Sequence, residues 1–224
     1  MTVVVLLGAP GAGKGTQAAI LTDRLGIPHV ATGDLFRVAV RDGSPIGLEA
    51  RRHMERGQLV PDAITIGMLL GRLEAPDAID GAILDGFPRN RPQAEALDEA
   101  LTGRASRVDL ALHIHVPLDE LVRRLSGRWI CLDAGHVYHE QSNPSRVAGQ
   151  CDLDGSPLIQ RDDDRPDTIR ARLTGQLESL GQVVDHYRET GVLRAIDGLQ
   201  PIDEVTAALL AEVATLPAEP AHEI

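Results

Sequence analysis

What the sequence lacks narrows it first. No apolar run approaches the roughly 20 residues that a bilayer-spanning helix needs, which excludes an integral membrane protein. Basic charge is short: 22 Lys and Arg stand against 33 Asp and Glu, a net charge of −11. A broad basic face able to displace counterions from nucleic acid is therefore missing, although a local basic site is still allowed. Two cysteines, Cys131 and Cys151, are too few for a secreted disulfide scaffold, and the opening MTVVVLLGAP has no basic residue ahead of its apolar stretch. The expectation is a cytoplasmic protein with no membrane or nucleic-acid partner. Lysine is scarce too, because Lys14 is the only one among the 22 basic residues. A chain that uses arginine wherever a surface cation suffices has kept one compact ammonium, which points to a place where a planar guanidinium does not fit.

With 43% apolar and 25% charged residues, the 224-residue chain reads as one globular α/β domain with small insertions. Thr2 to Leu7 is an unbroken Val/Leu run, as in a strand covered on both faces of a parallel sheet. Further apolar runs at Pro28–Ala31, Ala82–Leu84, Val108–Val116 and Val192–Ile196 predict four more strands. Between them lie helical repeats, Ile66, Leu69, Leu70, Leu73 and Leu118, Leu121, Val122, Leu125, and Pro201 opens a last helix to Leu216. Two segments interrupt the alternation. Thr32–Val60 is helical and Arg-rich, and Trp129–Gln160 is rich in Gly, Asp, Asn and Pro, suited to a small irregular or β subdomain. Residues 217–224 read as a frayed tail.

The strongest motif is GAPGAGKGT, Gly8 to Thr16, between the first strand and a helix. Its glycines let successive backbone N–H groups converge on phosphate oxygens, the helix start adds positive potential, and Lys14 can bridge the outer phosphates. ILDGFPRNRPQ, Ile83 to Gln93, places Asp85 at the end of a buried strand, on the ligand side of a parallel sheet, where it can hold magnesium or its water while Arg89 reaches an anion.

These motifs, taken with TGDLFR (Thr32–Arg37), GQLVPD (Gly57–Asp62), Gly127-Arg128, QRDDD (Gln160–Asp164) and TIRARL (Thr168–Leu173), resemble the adenylate kinases of the long-lid bacterial type, within the nucleoside monophosphate kinases, over Thr2 to about Val213. The resemblance implies a P-loop three-layer fold, a five-stranded parallel sheet flanked by helices, with two mobile insertions. The core is residues 1–30, 61–126 and 165–216, the AMP-binding insertion 31–60 and the lid 127–164. It implies a phosphotransferase that moves the terminal phosphate of ATP reversibly to AMP, giving two ADP, with magnesium, as a monomer.

By the same resemblance, Gly11, Ala12, Gly13, Lys14, Gly15, Thr16, Arg124, Arg128, Val137, Tyr138 and the backbone near Gln200 hold ATP. Thr32, Arg37, Gln58, Leu59, Val60, Gly86, Phe87, Pro88, Arg89 and Gln93 hold AMP, with Arg161 and Arg172 reaching the phosphates between. The catalytic set is Lys14, Arg89, Arg124, Arg128, Arg161 and Arg172, and Asp85 with Thr16 meets magnesium, through water. The charge logic agrees: two polyphosphates with about six negative charges must be brought together, which needs cations. No strong base is called for, because the AMP oxygen is already ionised, and alignment with charge stabilisation suffices. Arg124 and Arg128, four apart near the end of one helix, are expected on one side. Arg123, Arg165 and Arg170 read as bystanders.

Some family members hold the lid with zinc through two pairs of ligands. Here the pairs are Cys131-Leu-Asp-Ala134 and Cys151-Asp-Leu-Asp154, so only Cys131, Cys151 and Asp154 remain, one short of the usual four, and structural zinc is not expected. Rescue by His136 or His139 would need the loop to bend differently, and the alternative is a lid held by packing, its cysteines buried and close enough to oxidise. His113 and His115 read as packed or hydrogen-bonded residues of a strand. Two rival readings remain: a kinase for another nucleoside monophosphate, and a non-catalytic P-loop switch. A guanine-reading N-K-x-D motif is impossible, since the sole lysine lies in the loop.

Overall fold

The computed structural model describes residues 1–54, 60–160 and 166–216. Val3 to Leu7 of β1 (Thr2–Leu7) are each at most 2% exposed, so both faces of this strand are covered, as only a central parallel strand requires. Parallel neighbours lie on either side: β3 (Gly81–Asp85), with Val4 opposite Ile83, and β4 (Leu110–His115), with Val4 opposite Leu110. β2 (His29–Ala31) and β8 (Leu193–Asp197) complete the sheet in the order β2-β3-β1-β4-β8. All five predicted strands are present.

The helices are α1 (Lys14–Leu25), α2 (Thr32–Arg41), α3 (Pro45–Met54), α4 (Asp62–Leu73), α5 (Arg91–Thr102), α6 (Leu118–Ser126), α7 (Pro166–Glu189) and α8 (Ile202–Val213). α8 stops three residues before the predicted Leu216. Glycine and asparagine punctuate the elements that matter for the site. Gly13, at φ 96°, starts α1, and Gly26, at φ 68°, ends it with its N–H on the Thr22 carbonyl. The Asn90 side chain accepts the Gln93 N–H at 2.8 Å and caps α5, with Pro92 in the first turn.

Two compact units emerge. The first comprises Met1–Gly8, Gly13–His115 and Ser179–Ile224, and holds the parallel sheet. Its main core runs through Val5, Leu69, Leu84, Leu97, Ala111, Val183 and Tyr187. Within it α2, α3 and the chain entering α4 share a smaller core of Phe36, Ala50 and Val60, against which Ile64 and Met68 pack. The second unit comprises Ala9–Ala12 and Val116–Glu178. It carries an antiparallel sheet, β6-β5-β7, made of β5 (Arg128–Cys131), β6 (Val137–His139) and β7 (Leu158–Ile159). This is the small β subdomain expected from the sequence. Its core is Cys131, Tyr138, Cys151 and Leu158. Among the described residues no helix is long and apolar enough to cross a membrane.

One local expectation is corrected. Arg124 lies in α6, but the helix ends at Ser126 and Arg128 is the first residue of β5, so the two do not share a helical face. The helix is capped at Gly127, where a Cβ would meet His139 Nε2 at 2.6 Å and would have to displace that imidazole, and the chain passes from there into the strand.

Candidate functional site

β1 delivers the chain to the glycine loop, and positive φ at Gly11 (86°) and Gly13 (96°) turns it back on itself. Lys14, the first residue of α1, donates its ammonium to the Gly8 carbonyl at 2.9 Å, which holds the side chain across the loop. The same Nζ stands 3.9 Å from Asp85 Oδ1, in the crevice at the carboxyl ends of β1 and β3 where open parallel sheets bind ligands. Burial pushes the Asp85 carboxyl up, but a hydrogen bond from His29 and the charges of Lys14, His29 and Arg89 outweigh it, and the net pKa is lowered. Asp85 is thus an anion beside the loop. Thr16, expected with Asp85 near magnesium, is exposed in the first turn of α1.

On the other side of Asp85, Gly86 organises the next cluster. Its carbonyl accepts the Thr32 hydroxyl at 3.1 Å and Arg89 Nε at 2.7 Å. The Phe87–Pro88 peptide is cis, and Phe87 is buried. Gln93, 2% exposed, is held at both ends of its amide: Oε1 accepts the Arg89 backbone N–H at 2.7 Å, and Nε2 donates to Asp62 Oδ1 at 2.6 Å. Val60 is buried with Phe36 and Ala50, and Arg37 is exposed and paired with Asp34. Thr32, Gly86, Arg89 and Gln93 are therefore one hydrogen-bonded group. Gln58, Leu59 and Arg161 lie outside the described residues, as does the side chain of Arg172.

In the second unit, Arg124 Nε donates to Glu120 at 2.7 Å, and Arg123 grips the same carboxylate with two bonds of 2.7 Å. The two guanidinium groups hold the Glu120 carboxyl down at about 2, the Arg123 hydrogen bond being the larger cause. Arg170 is paired with Asp119 at 2.7 Å, which suits a bystander. Val137 is exposed, whereas Tyr138 is buried, its hydroxyl accepting the Asp152 N–H at 2.7 Å. The Tyr138 side chain thus belongs to the small core. In the first unit, Gln200 is exposed and donates to Asp197 at 3.0 Å.

A family model described as "Adenylate kinase" matches residues 6–192. Proteins named adenylate kinase align along nearly the whole chain. That of Thermodesulfovibrio yellowstonii is 48% identical over 93% of this chain and 97% of its own length. That of Streptomyces avermitilis is 48% identical over 91% and 93%, and that of Lachnospira eligens 44% over 92% and 97%. The chain belongs to the adenylate kinase family.

In the small antiparallel sheet of the second unit the structure offers four metal donors where the sequence counted three. Cys131 Sγ, His136 Nδ1 or Nε2, Cys151 Sγ and an Asp154 carboxylate oxygen all lie within 4.8 Å of one another. Two matched turns bring them together. The Gly135 N–H returns to the Cys131 carbonyl at 3.0 Å and the Gly155 N–H to the Cys151 carbonyl at 2.9 Å, with both glycines at positive φ (74° and 73°). In the second turn Asp154 supplies a donor. In the first, Ala134 gives only a backbone N–H to Cys131 Sγ at 3.3 Å, and the fourth donor comes from His136, whose Nδ1 is 3.2 Å from Cys151 Sγ. His136 lies between the turn and β6, its carbonyl accepting the Cys131 N–H at 2.9 Å. Burial pushes the Cys131 thiol up, yet hydrogen bonds from Ser156 and the Ala134 N–H bring it below its ordinary value. Ser156 and the two thiols hold Asp154 ionised. Two sulfurs, an imidazole and a carboxylate, with Ser156 and Tyr138 bonded to them from outside, fit a closed four-coordinate zinc site.

Two residues of this arrangement escaped the sequence reading, and His136, outside the C-x-x-C template, entered it only as a rescue that needed a different bend. His29, 3.3 Å from Asp85 Oδ2, stands in a strand with no motif of its own, and Asp62 sits inside GQLVPD but reveals its partner only through a contact 31 residues away.

Proposed function

We propose that this chain transfers the terminal phosphate of ATP to AMP, giving two ADP, as a monomer in the cytoplasm. The carrying observation is the cluster around Asp85: a solitary ammonium tied across a glycine loop, a carboxylate kept ionised beside it, and Arg89 on the next turn. The loop's N–H groups and Lys14 receive the ATP phosphates, and Arg89 with Arg37 receives the AMP phosphate. Segments 31–60 and 127–164 serve the two nucleotides as AMP-binding insertion and lid, and Arg124, Arg128, Arg161 and Arg172 add positive charge in the transition state. Asp85 and Thr16 would hold magnesium, which would supply charge neutralisation on the phosphates. No side chain has to remove a proton, since the AMP phosphate is already an anion. Zinc at Cys131, His136, Cys151 and Asp154 has a structural part only.

The test is diphosphate formation from ATP, magnesium and each monophosphate in turn. AMP is expected to be the best acceptor. ATP loss with no acceptor requirement would overturn the reading in favour of a nucleotide switch. Replacing Lys14→Met should lower transfer at least about 100-fold, the usual scale for one lost transition-state charge contact, with the melting temperature unchanged.

A further inference from the structure

We infer that Asp62 is a specificity-determining positioning residue, which locks the amide of Gln93 in the one orientation that reads a 6-aminopurine and rejects a 6-oxopurine. The inference rests on the reading above, in which Gln93 faces the base of the acceptor nucleotide.

A carboxamide is ambiguous in isolation, because its oxygen and nitrogen exchange places on a 180° turn of the terminal torsion. Here both neighbours have fixed hydrogen-bond character. The Arg89 backbone N–H can only donate, so the atom 2.7 Å away must be Oε1. The Asp62 carboxylate can only accept, so the atom 2.6 Å away must be Nε2. Turning the amide would set donor against donor and acceptor against acceptor in a site where Gln93 is 2% exposed. Asp62 is well placed for this as the first residue of α4, while Gln93 is anchored in the first turn of α5 by the Asn90 cap.

After these two bonds the amide retains one N–H and one oxygen lone pair. Adenine presents N1 as acceptor and the 6-amino group as donor, which complements that pair. Hypoxanthine, differing only at this edge, presents N1–H and O6, so the locked amide meets a donor with its donor and an acceptor with its acceptor. Rejection then comes from repulsion as well as from lost contacts.

The experiment measures kcat/KM for AMP, IMP and purine riboside monophosphate, which keeps the N1 acceptor but lacks the amine. In the wild type, IMP should fall at least about tenfold below purine riboside monophosphate, and equal use of the two overturns the lock without any variant. Asp62→Ala should reduce the AMP-to-IMP ratio about tenfold, the scale of one charge-assisted hydrogen bond. The KM for ATP should not change, and Asp62→Asn, which keeps an acceptor oxygen, should restore the ratio. Equal loss for AMP and IMP in Asp62→Ala would reduce the residue to a structural role and overturn the proposal. A wild type that forms no diphosphate with any monophosphate would instead refute the kinase reading, a separate result.

Discussion

His113 stands two residues from His115 on the same side of β4, their rings edge to face with centroids 5.7 Å apart. Burial, then the neighbouring His115, then Arg188 push His113 down from its ordinary value to about 4. Its neutral ring belongs to the folded sheet, while the unfolded chain takes up a proton near pH 6.5. Protons are therefore bound preferentially by the unfolded state between those values, and the stability present above pH 6.5 is lost as pH falls toward 4. For a half-buried ring the loss is on the order of 1–2 kcal/mol after solvent screening. Replacing His113→Leu should shrink the drop in melting temperature between pH 7 and pH 4.5 relative to wild type. An unchanged drop would show that His113 is not an acid-labile point of the sheet. Lys14 illustrates the opposite economy of type: its slim stem fits the turn of a glycine loop and lets the ammonium reach the Gly8 carbonyl, which the fork of an arginine would overfill.

At the scale of elements, α2 and α3 meet more closely than any side chain allows. A Cβ at Gly47 would come 2.0 Å from the Ala39 carbonyl oxygen, so α3 crosses α2 backbone to backbone, braced by the Ser44 hydroxyl on that same carbonyl. Gly47→Ala must push the helices apart, loosening the small core of Phe36, Ala50 and Val60. We expect a loss of about 1–3 kcal/mol, as for overpacking, and a raised KM for AMP with the KM for ATP unchanged. An unaltered AMP KM would separate this helix crossing from acceptor binding. The parallel strands, by contrast, were legible directly, because a strand buried on both faces must be written as an unbroken apolar run such as Val3–Leu7. The glycine loop and Asp85 were legible because their chemistry depends on order along the chain. What the sequence hid were partnerships in space. The Asp62–Gln93 bond closes between two helix starts, the chain leaves α6 at Gly127 so that Arg128 opens β5, and His136 joins the cysteines from just beyond a turn that the spacing template does not count.

For the whole molecule, the chain's two units rest on different kinds of interior. The first has a parallel sheet with a broad aliphatic core, whereas the small antiparallel sheet of the second encloses a cluster of four described residues, two of them cysteines. So small a cluster buries too little apolar surface to order a segment by itself, and small β modules commonly gain the missing stability from a metal. The Cys131, His136, Cys151 and Asp154 donors lie where that metal would join both turns to β6. Trp129, the only tryptophan of the chain, lies on β5 of this same unit. Its fluorescence therefore reports the second unit, while far-ultraviolet circular dichroism is dominated by the helices as a whole. Purified protein should carry about one zinc per chain, and His136→Ala should carry much less. After chelation the fluorescence transition should move to a lower temperature and separate from the circular dichroism transition, since a single two-state unfolding would keep the two probes coincident. Sub-stoichiometric zinc after gentle purification, or two transitions that still coincide after chelation, would leave the small sheet to its packing and hydrogen bonds and refute the metal's structural part.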